Sequence, residues 1–70
     1  MPHIAVTMFP GRDNETKQAL SLKLQAFLAE ELNISKEVVS VSVEDIPKEK
    51  WNESMRKIPA EAMFVELGNK

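Results

Sequence analysis

From Pro2 to Phe9 the apolar residues Pro2, Ile4, Val6 and Met8 alternate with His3, Ala5 and Thr7. This period of two predicts a strand with one face more buried than the other. Pro10-Gly11 ends the pattern in a turn that carries Arg12, because a proline-glycine pair breaks both strand and helix. The period then changes. Leu20, Leu24, Phe27, Leu28 and Leu32 recur at helical spacing, with Lys17, Gln18, Gln25 and Glu31 mostly off the stripe, which predicts a long helix burying that stripe as core. Asp13 is placed to cap its free N–H groups, and Glu15 adds negative charge where the helix dipole favours it. Asn33, which tolerates the left-handed conformation, is placed to end the helix. Val38 to Val43 reads Val-Val-Ser-Val-Ser-Val and predicts a second strand, with Val39, Val41 and Val43 on one face and Val38, Ser40 and Ser42 on the other.

Strand, helix and strand in this order make a β-α-β unit, so the strands are expected to be parallel, with a right-handed crossover and the helix on one face of the sheet. The fold class is therefore α+β. Such a sheet has one bare face and two open edges, and the simplest cover is another copy of the chain. A homo-oligomer is expected on these grounds. Further on, Pro47 suits the start of a short helix that sets Trp51, Met55 and Ile58 on one face. Pro59 suits a second short helix through Ala60, Met63, Phe64 and Leu67, stopped by Gly68.

Composition narrows the function. Seventy residues make a single small domain, 1–70, below the size at which one core is comfortably self-sufficient. There is no cysteine and one histidine, His3, so neither a disulfide nor a zinc cluster is expected, and a reducing cytoplasm suits the chain. No apolar stretch is long enough for a bilayer and no leader pattern opens the chain, so a soluble, cytoplasmic protein is the expectation. The formal charge is −2 with both signs interleaved, which argues against a nucleic-acid partner.

Pro2 is where chemistry enters. Proline commonly begins a strand for conformational reasons alone, since its missing N–H is unused there. Removal of Met1, however, would turn its nitrogen from a tertiary amide into a secondary amine held rigidly by the ring. An α-amino group titrates at about 7.7–8.0 in the open, and both burial and a neighbouring positive charge disfavour its cation. A shielded terminal proline beside arginine would thus be neutral at pH 7, as a general base requires.

Met1-Pro2 opening a strand, Pro10-Gly11-Arg12-Asp13 leading into a long helix, and a valine-rich strand after it together resemble the 4-oxalocrotonate tautomerase family, without a gap from Pro2 to about Trp51. Met-Pro-His-Ile, Phe9-Pro10, the Pro47 to Trp51 turn and the helical-looking tail are most similar to its dimeric phenylpyruvate-type branch. The resemblance implies that Met1 is removed and that Pro2 shuttles a proton in keto-enol or double-bond isomerisation of 2-oxo acids, without cofactor or metal. It also implies that Arg12, from the same or a neighbouring subunit, grips the substrate carboxylate, for which its planar fork is suited. Trp51 would then be an apolar wall near Pro2.

One position departs from the family pattern: Ser40 stands where the tautomerase proper has a second arginine, so a monocarboxylate such as phenylpyruvate is expected rather than a diacid. Ser40 itself is a candidate hydrogen-bond donor to substrate. His3, on the strand face opposite Pro2, is expected to be structural. Two alternatives stand beside the tautomerase reading. One is a non-catalytic assembly or interaction module of the same fold. The other is Pro2-dependent hydration or dehalogenation of unsaturated haloacids. A homodimer is favoured over a hexamer because the tail would cap a surface otherwise open to further assembly.

Overall fold

The computed structural model describes residues 1–68. Strand β1 spans His3–Met8, helix α1 spans Asn14–Leu32 and strand β2 spans Ser40–Asp45. The two strands pair in parallel, from His3 opposite Ser40 to Met8 opposite Asp45, as the β-α-β order requires. Both strands are therefore edges of a two-stranded sheet.

Local chemistry sets the helix ends. The Asp13 carboxylate accepts from the Thr16 N–H at 2.8 Å, and Asn33 closes the helix in the left-handed region at φ 57°. At Gly11 the backbone takes φ +137° with open space around the position of a Cβ. Glycine is needed there for its conformation, with no steric demand from neighbours.

The second strand begins two residues later than its valine pattern suggests. Ser35 caps a single 3₁₀ turn over Lys36–Val38, its hydroxyl accepting from the Glu37 N–H, and this turn takes Val38 out of the ladder. Val39 is buried at the entry to β2, and the in-and-out parity of the valines and serines is kept.

One face of the sheet carries Ile4, Val6, Val41 and Val43, all half-buried, on the same side as the buried Val39. Helix α1 packs against β2 through a stripe that includes Leu20, Leu24 and Leu28, but the stripe is rotated from the expected one. Ala29 is its fully buried member. Gln25 lies along it and donates to the carbonyls of Lys36 and Val39. Phe27 and Leu32, expected in the core, are 65% and 52% exposed. The small Ala29 and the amide of Gln25, which satisfies otherwise unpaired carbonyls, let this side close on the sheet and turn Phe27 outward.

Pro47 stands just before a 3₁₀ turn over Lys48–Lys50, which runs directly into helix α2, Trp51–Arg56. The tail departs from expectation. Pro59 starts only one 3₁₀ turn, Ala60–Ala62, after which Met63 is extended. No helix continues to Gly68, and Phe64, Val65 and Leu67 lie exposed. With Phe64, Val65 and Leu67 left unpacked, so short a helix gains too little to offset its nucleation cost.

The core is correspondingly small: Ala29, Val39 and Ile46 are its buried apolar residues among those described. The chain exposes 5982 Å², whereas a self-contained folded protein of its mass exposes about 4,400 Å². Its radius of gyration is 13.5 Å, against about 11 Å for a compact chain of this length. The face carrying His3, Ala5, Ser40, Ser42 and Glu44 is exposed. No helix among the described residues is long and apolar enough to cross a membrane.

Candidate active site

The parallel sheet has two chemically different ends. At the start of β1, Pro2 is half-buried and its carbonyl accepts from the Ser40 N–H at 3.3 Å. Met1 projects from this end and is 98% exposed, so its removal would cost no packing. On the bare face beside Pro2, the His3 ring bridges two hydroxyls: Nδ1 lies 2.6 Å from Ser40 Oγ and Nε2 lies 2.9 Å from Ser42 Oγ. Strand parity puts Ser40 on this face and the Pro2 side chain on the other.

The other end is aromatic and cationic. Phe9, just past β1, meets Trp51 edge to face with ring centroids 5.1 Å apart, and the Lys48 ammonium sits 5.9 Å from the Phe9 ring centre. Arg12 follows Phe9 by three residues and is exposed. Lys17 of α1 closes on Asp45 of β2 at 2.8 Å, tying the helix start to the same end of the sheet. The Asp13 carboxyl is held below its ordinary value of 3.8, chiefly by the hydrogen bond from the Thr16 backbone, so the helix cap behind Arg12 stays ionised.

The candidate residues thus fall into two groups within one protomer. Pro2 and Ser40 share one end; Arg12 and Trp51 share the other. Six residue steps from Pro2 to Met8, at about 3.3 Å each, separate the ends by about 20 Å. This is farther than an arginine side chain reaches, so a single chain does not bring Pro2 and Arg12 together.

A family model described as tautomerase enzyme matches residues 1–54, which takes in β1, α1, β2 and the start of α2. The chain belongs to the tautomerase family. A probable tautomerase from Xylella fastidiosa (strain 9a5c) is 41% identical to it over 51 residues, covering 73% of this chain and 62% of that protein. The chain therefore spans less than two thirds of the length of that curated relative. No solved structure matches the chain significantly. The family match supports the β-α-β reading and leaves residues 55–70, with the exposed Phe64, Val65 and Leu67, outside the matched region.

Sequence reasoning passed over two features of this tautomerase fold. The His3, Ser40 and Ser42 cluster depends on which residue of β1 pairs with which of β2, and that register is invisible in either strand alone. Lys48 and Phe9 belong with Trp51 only because the turn after β2 folds back over the end of β1.

Proposed function

We propose that this tautomerase-family chain moves a proton within an enolisable 2-oxo monocarboxylic acid, with Pro2 as base and acid after removal of Met1. The observation that carries the reading is Pro2 standing at the start of β1 in a family-matched segment, with one sheet face uncovered beside it. In ketonisation of an aryl enol such as phenylenolpyruvate, the neutral proline amine takes the enol hydroxyl proton and the resulting ammonium gives that proton to carbon 3, which returns the amine to its neutral form. The reverse direction uses the neutral amine to take the carbon-bound proton, with charge developing on the enol oxygen.

The working site is assembled from two copies of the chain. Arg12 and Trp51 of a second copy reach Pro2 if the strands of two protomers run antiparallel, start against end, so that each copy completes the other's site. The surface in excess of a self-contained monomer, about 1,600 Å², lies in the range that obligate partners bury on each side. Arg12 then binds the carboxylate, and Trp51 excludes water and disfavours the proline cation. With Ser40 in place of a second arginine, the site suits one carboxylate and an apolar substituent, as in the phenylpyruvate-type branch. We favour a cytoplasmic homodimer.

The experiment is a ketonisation assay with phenylenolpyruvate, using protein whose loss of Met1 is established by intact mass, beside its Pro2→Ala variant. A large loss in the variant supports the reading. Equal rates, or a Met1 that stays attached, would leave an assembly module of the same fold, a role to which Ser40 in place of arginine also lends weight. Turnover of unsaturated haloacids without keto-enol exchange would instead support Pro2-activated hydration or dehalogenation.

A further inference from the structure

The tautomerase reading leaves the developing enol oxygen without a donor. At the Pro2 end Val39 and Ala29 are buried on the helix side of the sheet, while His3 and Ser40 are exposed on the bare face, which gives a ligand at the proline nitrogen room there. The polar groups on that face nearest Pro2 are His3, Ser40 and Ser42.

Their hydrogen bonds constrain one another. A neutral imidazole has one N–H and one bare nitrogen. It must therefore donate to one of the two serines that flank it and accept from the other. The serine that accepts keeps its own O–H free to point outward, while the serine that donates does not. A protonated imidazole donates to both, and both hydroxyls are then free. We propose that His3 is a positioning residue that sets how many serine hydroxyls, one or two, are presented from the bare face to the substrate's enol oxygen.

This inference rests on the tautomerase reading and adds to it a role for the face opposite the Pro2 side chain. The sequence alone marks His3 as structural, and the ring does hold the strands together; the same two bonds also aim the hydroxyls. The other titratable side chain on this face among the described residues is Glu44, at the far end of β2 opposite Thr7. The proline amine adjoins His3 in sequence, and in the assembled site Arg12 of a second copy faces it. Among the described residues, no element covers the cluster, and His3, Ser40 and Ser42 are all exposed.

The test compares full-length, Met1-processed wild type with His3→Gln, Ser40→Ala and Pro2→Ala, measuring kcat and KM for phenylenolpyruvate from pH 5 to 8. Glutamine offers one donor and one acceptor and does not titrate. His3→Gln is expected to make kcat independent of the protonation state at this position, so that its pH profile differs in shape from that of the wild type. Ser40→Ala should lower kcat at least about tenfold, in keeping with loss of an enol-oxygen donor, with KM little changed.

His3 is the one histidine of the chain, so its ring protons can be followed by NMR without assignment, and this measurement needs no variant. Phenylglyoxylate, a 2-oxo acid with no enolisable proton, should shift those signals on binding. Superimposable pH profiles for wild type and His3→Gln, or ring signals unmoved at saturating phenylglyoxylate, would overturn the inference even with activity fully dependent on Pro2. If Pro2→Ala were as active as wild type, the tautomerase reading itself would fail.

Discussion

Phe9 and Trp51 stand edge to face, 5.1 Å between ring centres and 79° between ring planes, and this contact folds the segment after β2 over the end of β1. It makes an apolar wall at the end of the sheet that carries Arg12, about 20 Å from the proline of the same chain. Under the proposed function, a site that uses both Pro2 and Arg12 therefore needs a second copy of the chain.

Mixing two inactive variants should restore activity. If Pro2 of one copy works with Arg12 of another, Pro2→Ala and Arg12→Ala proteins exchanged at random in a dimer regain roughly a quarter of the wild-type sites. Recovery is read in the phenylenolpyruvate assay after subunit exchange. A mixture no more active than its components would show that both residues serve a site within one chain.

Stability should rise with protein concentration, because folding and association are linked when the protomer leaves so much surface open. Thermal unfolding at concentrations a hundredfold apart should give clearly different Tm values, and sedimentation should find a dimer. A concentration-independent Tm with a sedimenting monomer would remove the second copy from the site.

The aromatic pair should couple energetically. Phe9→Leu and Trp51→Leu, alone and together, form a double-mutant cycle whose interaction term is expected at about 0.5–1.5 kcal/mol. Chemical denaturation at fixed protein concentration measures it. By contrast, Lys17→Met should cost less than about 1 kcal/mol, because the Lys17 to Asp45 bridge is only partly shielded from solvent.

Acid should weaken the helix start. The Asp13 carboxyl titrates below its ordinary 3.8 in the folded chain, so it contributes stability that is fully present above that value and is lost as pH falls through the folded one. Asp13→Ala should lower Tm at pH 7 and flatten the acid dependence below about pH 4. Asp13→Asn, which still caps, should hold most of the Tm while losing the same pH dependence. A Tm for Asp13→Ala equal to wild type at pH 7 would show that the cap bond carries no weight.

What could be read from the chain were the features that depend on neighbours in sequence. The alternation through Ile4, Val6 and Met8 marked β1, Asp13 and Asn33 marked both ends of α1, and strand, helix and strand in succession implied parallel pairing. The Pro59 segment resisted for a related reason: Pro59 and Gly68 are adequate punctuation for a helix, but whether one forms depends on a surface to pack against, and Phe64, Val65 and Leu67 lie exposed in the protomer.

Pro2 and Arg12, too, were legible as residue types in the primary sequence, because an amine at a strand start and a guanidinium on a turn are recognisable wherever the fold puts them. Their separation was not. Distance along a strand grows with every residue, so two candidates ten positions apart in sequence lie at opposite ends of one sheet. Nor could the pairing of His3 with Ser40 and Ser42 be read, since register is a relation between two segments 37 residues apart. Sequence determined the groups available for chemistry; only the tertiary arrangement decided which of them share an end of the sheet, because that depends on through-space packing that no local pattern records.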